Sequence, residues 1–290
     1  MAKKILIMGE SGTGKTASLR NFSPDEIAIV NPVGKPLPFR GRYDTLDSET
    51  DSRAIKEFMK NSVARGKKVI VVDDFQYILS IPYMNRIKEA GWDKWNDFGS
   101  NYFEIIDYCS MLPDNVTVYF LTHTETLENG ITTIKLIGKL LREKITIEGL
   151  FTTVLRTQVV DGKYYFLTQN SGKDTVKSPI GMFGSYAIDN DLKYVDDKIR
   201  NYYQMTGCKS DAEMQEADKD VEKPDIEKVG SGRVRRSKRE KKEEVPPWED
   251  VKTEDISDDD LPFKVDDLPS EAEQKAEEPP KRVRRTRKER

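Results

Sequence analysis

Two rhythms of apolar residues run through the first two hundred positions. Short continuous runs at Lys4 to Met8, Glu26 to Val30, Val69 to Val72 and Asn115 to Thr122 predict strands buried on both faces, as in a parallel sheet covered by helices. Between them the spacing changes to that of helices. Ile55, Phe58, Met59 and Val63 share one face of a predicted helix over Ser52 to Ala64. Tyr102, Ile105, Ile106, Cys109 and Leu112 form a second stripe that stops at Pro113. Gly14 to Asn21 reads as a first, shorter helix, while Pro32, Gly34, Pro36 and Pro38 exclude regular structure from the passage after the second strand. Strand and helix in alternation predict an α/β fold. Two later runs, Thr153 to Val160 and Lys163 to Thr168, flank Asp161-Gly162, a pair that signals a tight hairpin and so an antiparallel extension of the sheet. Asp189 to Met205 reads as the last folded element, a helix on the sheet.

Composition divides the chain. Residues 1–208 carry the patterns above; residues 209–290 lose them, and about half of that segment is charged, too polar to build a core. A disordered charged tail is expected there. It contains an echo, Arg233-Val-Arg-Arg-Ser-Lys-Arg-Glu240 returning as Arg282-Val-Arg-Arg-Thr-Arg-Lys-Glu289, with an acidic stretch from Trp248 to Asp267 between the two. The formal net charge of -3 excludes a global attraction to nucleic acid, so basic surface must be local. One His and two distant cysteines, Cys109 and Cys208, give no zinc-ligand spacing; Cys109, on the apolar stripe, is expected in the core. No run is long enough to span a bilayer, and the chain enters its first strand without a secretory core. These features point to a cytoplasmic protein without a membrane partner.

The chemistry concentrates after the first strand. Gly9, Glu10, Ser11, Gly12, Thr13, Gly14, Lys15 and Thr16 spell G-x-x-x-x-G-K-[ST] between a strand and a helix, the context that makes this motif specific for nucleotide phosphates. Glycines let backbone N–H groups approach phosphate, the following helix points its positive end at it, Lys15 reaches the β and γ phosphates, and the Thr16 hydroxyl meets Mg²⁺. The apolar strand Val69-Ile-Val-Val ends in Asp73-Asp74, so Asp73 is the expected second Mg²⁺ ligand. ATP is the expected nucleotide because no guanine-reading N-K-x-D motif is evident.

Between the two motifs lies an extra strand and helix, Glu26 to Ala64. In the ATPase branch of P-loop proteins, a further strand separates the P-loop strand from the acidic one and presents a polar residue to the γ-phosphate. Val116 to Thr122 would be that strand, and it ends at His123. His123 is therefore a γ-phosphate sensor or a structural histidine at a strand end. The general base must be a carboxylate able to polarise an in-line water. Asp74 is favoured, with Glu49 and Glu125 as alternatives from other strand ends.

The P-loop, V-I-V-V-D-D, L-T-H-T-E at Leu121 to Glu125, and the hairpin followed by S-G-K-D-T-V-K-S-P resemble small phage-encoded RecA-like ATPases, some linked to single-strand annealing and recombination. The resemblance covers about residues 1–210. It implies a RecA-like sheet, Mg²⁺-dependent ATP hydrolysis, single-stranded DNA as a partner, and homo-oligomers in which a basic residue after a late hairpin reaches a neighbour's nucleotide. Lys173 and Lys177 stand in that place, or are two surface lysines. RecA itself keeps a catalytic glutamate where this chain has Asn31. In the tail, Asp258, Asp259, Asp260, Leu261, Pro262 and Phe263 are similar to the acidic tip of bacterial single-stranded DNA-binding protein, which suggests a replication or recombination protein as partner. Lys264 follows where that tip would end. The same residues also read as one more acidic patch, and the flanking basic clusters as DNA contacts, solubilising charge or, in a eukaryotic source, a nuclear signal. Two other functions use the same loop. A nucleotide or small-molecule kinase would need an arginine-rich lid, for which Tyr83 to Gly99 offers only Arg86; Trp92 and Trp95 there could stack on bases, but packing against the neighbouring helix is the role expected first. A module could also bind ATP without turnover.

Overall fold

A computed structural model describes residues 1–91, 93–138 and 140–221. Trp92 and the whole Asp258 to Phe263 motif with its basic flanks lie outside the described residues.

Eight strands form one sheet. The central parallel part comprises β1 (Lys3–Met8), β2 (Ile27–Asn31), β3 (Asp44–Asp47), β4 (Val69–Val72) and β5 (Thr117–Thr122). A two-stranded ribbon, β6 (Thr124–Thr126) and β7 (Thr132–Ile134), stands apart. The sheet continues with β8 (Thr153–Val160), β9 (Lys163–Leu167) and β10 (Ala187–Asp189), in the order β10-β9-β8-β1-β5-β4-β2-β3. β8 runs parallel to β1, and β9 turns back on β8 through Asp161-Gly162, both with positive φ. β5 lies between β1 and β4, with Met8 opposite Thr122 and Val72 opposite Phe120. The extra strand expected between the P-loop strand and the acidic strand is thus in place. This is a P-loop α/β fold: a mostly parallel RecA-like sheet carrying an antiparallel C-terminal extension.

The continuous apolar runs are explained by burial on both faces. Alternate residues of each strand go to opposite sides. Leu6, Met8, Ile70, Val72, Val118 and Phe120 join one core with Ile55, Met59, Tyr102 and Ile105. Ile5, Ile7, Val69, Val71, Tyr119 and Leu121 join the other with Leu19, Phe22, Leu192 and Val195. The first core is covered by α1 (Ser52–Ala64), α2 (Tyr77–Asn85) and α3 (Asp93–Tyr108), the second by α4 (Leu192–Tyr202) and the segment after the P-loop. Cys109 is fully buried in the first core, and burial pushes its thiol up to about 12.

Two expectations need correction. The segment after the P-loop is a six-residue 3-10 helix, Thr16–Asn21, and not an α-helix from Gly14. Its buried Leu19 and the buried Phe22 that caps its end are three apart, the spacing that stacks in a 3-10 turn, and Pro24 follows closely. Folded structure also continues past the boundary expected at residue 208. α5 (Asp211–Asp220) begins with a reciprocal capping box between Ser210 and Glu213, buries Met214, and accepts hydrogen bonds from Tyr194 and Lys198 of α4 at Asp218. A locally satisfied cap and one apolar anchor order this stretch despite its charge.

Candidate functional site

The site forms where β1, β5 and β4 end side by side. The sheet pairing brings Gly9 after β1, His123 after β5 and Asp73-Asp74 after β4 to one edge. Gly9 N–H donates to the Thr122 carbonyl at 3.1 Å, Asp73 N–H to Val30 at 2.9 Å and Phe75 N–H to Leu121 at 2.8 Å. Backbone bonds therefore fix the acidic turn relative to the P-loop.

Two glycines of the loop are required by space. A β-carbon at Gly9 would lie 1.8 Å from Thr157 Oγ1 of β8. Gly14 has φ +92, and a β-carbon there would meet Tyr164 at 2.9 Å and the Asn190 side chain at 3.1 Å. Thr13 is tied down by hydrogen bonds to the Glu10 carbonyl at 2.7 Å and to Thr157 Oγ1 at 2.6 Å. A cleft of about 240 Å³ results, lined by Ser11, Gly12, Gly14, Lys15, Thr16, Ala17, Lys35, Pro38, Asp74, His123 and Tyr164. Since six residues of 3-10 helix supply only a small macrodipole, loop N–H groups and lysine charge must hold an anion there.

Lys15 is 6% exposed and donates to the carbonyls of Gly9 at 2.9 Å and Glu10 at 2.8 Å. Burial pushes its ammonium down to about 8, against the opposing pull of Asp74 and Asp73. A buried ammonium held only by neutral carbonyls is what a phosphate would stabilise. Thr16 Oγ1 donates to both carboxylate oxygens of Asp73, at 2.8 and 3.1 Å. Burial, reinforced by the neighbouring Asp74 charge, pushes the Asp73 carboxyl up to about 6. A hydroxyl and a buried, destabilised carboxylate in contact make a hard-oxygen pair that suits Mg²⁺, which takes one or two carboxylates and completes its shell with water and phosphate. The residues fit the ion. Among the described residues there is no group of three or more His, Cys, Asp or Glu that could hold a metal unaided.

Asp74 is 2% exposed and adopts left-handed φ +48, a conformation that non-glycine residues hold at a cost, often at functional sites. One carboxylate oxygen faces His123 Nε2 at 3.4 Å, and the other is ion-paired with Lys35. Burial pushes its carboxyl up, but His123 and Lys35 outweigh it and hold the group at about 2. The structure therefore brings together Gly9 to Thr16, Asp73, Asp74 and His123. It does not bring Glu49 or Glu125 to the cleft. Glu49 accepts the N–H groups of Thr50 and Asp51 at 2.7 and 2.8 Å, and Glu125 pairs with Arg142 at 2.7 Å. Lys173 and Lys177 do not line it either. Lys173 accepts the Thr132 N–H at 2.8 Å through its carbonyl, and Lys177 is bridged to Val154 by two backbone bonds. Arg86 of the candidate lid segment pairs with Glu89, and with Asp97 in a different cleft, and Trp95 packs on Tyr83 and Phe98.

Four contributors were missed. Lys35 comes from the Pro/Gly-rich passage, where no periodicity marks it. Gln76 accepts the His123 N–H at 3.1 Å and the Thr122 hydroxyl at 3.3 Å; its buried amide nitrogen has no hydrogen-bond partner among the described residues. Tyr164 and Thr157 arrive from the hairpin, whose position beside β1 is a tertiary outcome. Asn31, at the end of β2, is 3% exposed and bonds to Asp47 and to the loop after β2, so it is an anchor and not a base.

No protein-family model matches the chain, and no curated protein does. Among solved structures it is similar to an ATPase from the type III secretion system of pathogenic bacteria, at 12% identity and a TM-score of 0.38, over 54% of this chain and 51% of that one. The chain thus spans about half the length of that structure, and a likeness so slight leaves function to the residues around the cleft.

Proposed function

We propose that this chain is a Mg²⁺-dependent ATPase whose turnover is coupled to single-stranded DNA in phage recombination or replication. One observation carries the nucleotide part: Thr16 and Asp73, distant in sequence, meet at hydrogen-bonding distance beneath a P-loop whose lysine is buried without a counter-anion in contact. When bound, Mg²⁺ would be held by Thr16 and Asp73 and would neutralise phosphate charge. Lys15 binds the phosphates, the loop N–H groups orient them, and Asp74 is the carboxylate that would polarise an in-line water. His123 buttresses Asp74 from the strand between the two motifs, which supports a γ-phosphate-responsive role.

The DNA and oligomer parts rest on the resemblance and on charge. Lys173 is exposed, which suits a group reaching a neighbouring subunit; Lys177, half-buried and bridged to Val154, suits it less. The acidic motif Asp258 to Phe263 is the proposed docking segment for a replication or recombination protein. Among the described residues no helix is long and apolar enough to cross a membrane.

The test is ATP turnover by the full chain, with and without single-stranded DNA, for wild type and Lys15→Ala. We expect DNA to stimulate turnover and the substitution to reduce it on the order of 100-fold. Turnover only with a small phosphate acceptor would replace this reading with a kinase, and binding without turnover would replace it with a regulatory module.

A further inference from the structure

Lys35 is the one lysine besides Lys15 in the wall of the phosphate cleft, and nothing in the P-loop or acidic motif accounts for it. Its backbone is fixed. Asn31, Pro32, Val33 and Gly34 form a turn closed by the Gly34 N–H on the Asn31 carbonyl at 3.0 Å, with Pro at the second position. The Asn31 side chain donates to the Lys35 carbonyl at 2.8 Å and accepts from Gly34 N–H at 3.1 Å. Pro36 keeps Lys35 extended, and Leu37, Phe39 and Tyr43 pack against the second core. The side chain, by contrast, is 53% exposed, and its four-carbon stem can swing. Its ammonium rests on Asp74, in a cleft it shares with Lys15.

We propose that Lys35 is a phosphate-contacting residue acting within its own chain: it leaves Asp74 for the terminal phosphate of a bound nucleoside triphosphate. This rests on the nucleotide reading above. The terminal phosphate carries close to two negative charges, against one on the carboxylate, so Coulomb attraction favours the transfer at equal distance. Asp74 is not stranded by it, because His123 still faces its other oxygen. A diphosphate puts no group at the γ position, and on that ground of position, not of charge, Lys35 stays on Asp74. Lys35 would therefore discriminate triphosphate from diphosphate, and its departure would uncover the Asp74 carboxylate only when the γ-phosphate has arrived.

The experiment measures the affinity of the full chain for Mg²⁺ complexes of a non-hydrolysable ATP analogue and of ADP, by calorimetry, in wild type, Lys35→Ala and Lys35→Arg. Lys35→Ala should weaken the analogue by about tenfold or more, the worth of a charge-assisted hydrogen bond, and leave ADP within about twofold; Lys35→Arg should recover part of the loss. Thermal stabilisation of the Ala variant by ADP verifies that it folds. Equal weakening of both nucleotides, or of neither, overturns the proposal while the nucleotide reading stands. Wild-type protein that binds neither nucleotide overturns both.

Discussion

At the start of β5, Thr117 and Tyr119 donate to the buried carboxylate of Asp196, at 2.6 and 2.8 Å. Arg200 pairs with the same carboxylate at 2.5 Å and donates to the carbonyls of Asn115 and Lys68. At the end of the same strand, roughly 20 Å away for six extended residues, stands a second buried ionic cluster of Lys15, Asp73, Asp74 and His123. Both are polar clusters at the two ends of one buried strand. In the first, every charge is met by an opposite charge or a fixed dipole of the protein. In the second, an ammonium is held by neutral carbonyls, a carboxylate is pushed up to about 6, an aspartate adopts left-handed φ, and a buried amide nitrogen goes unmatched. Buried charge alone therefore does not mark a site. What distinguishes the candidate site is charge that the protein leaves for something else to satisfy.

That contrast can be broken by substitution. Arg200→Ala leaves Asp196 buried without its cation and should cost about 3–5 kcal/mol in urea unfolding, while Mg-ADP affinity of the folded protein stays unchanged. Lys15→Ala should do the reverse, with nucleotide binding lost and unfolding free energy changed by less than about 1 kcal/mol, since a desolvated charge is removed. If Lys15→Ala destabilises as much as Arg200→Ala, the working cluster is structural after all. Gly14→Ala is the intermediate case. Left-handed φ and the contacts with Tyr164 and Asn190 predict a loss of about 1–2 kcal/mol from the backbone alone, accompanied by loss of binding.

The smallest effect sharpens the comparison from outside. Asp51 caps α1, and its bonds to the Arg53 side chain and then to the Arg53 N–H hold its carboxyl at about 2. Its folded pKa is thus below the value near 4 of an unfolded aspartate, so the stabilisation is complete above pH 4 and is lost as pH falls through 2. Asp51→Ala should cost about 1 kcal/mol at neutral pH, and the difference from wild type in thermal unfolding should shrink to well under half by pH 2 and vanish below it. A difference that persists there would assign the cap to packing and not to charge.

Much of this was legible in advance. Val69 to Val72 and Ser52 to Ala64 have the predicted bounds, because a doubly buried strand must be continuously apolar and an amphipathic helix must repeat every three to four residues. The Asp161-Gly162 hairpin followed from the left-handed φ such turns need, and Gly9 to Thr16 with Asp73 from the chemistry of phosphate and Mg²⁺. Less visible were β3 and β6, which are short and only partly buried, β7, which is three residues long, and α5, whose capping box at Ser210 and Glu213 lies in a run of charge.

The sequence alone determined the P-loop, the acidic strand end and the alternation that makes a covered parallel sheet, since each is a local pattern with a local physical cause. Only the tertiary structure decided that β8 lies beside β1, that His123 and Lys35 hold Asp74 from opposite sides, and that Tyr164 overhangs Gly14. Those contacts join residues far apart in the chain through strand order and a turn pinned by Asn31, and no periodicity or motif encodes which distant side chains a sheet edge will bring together.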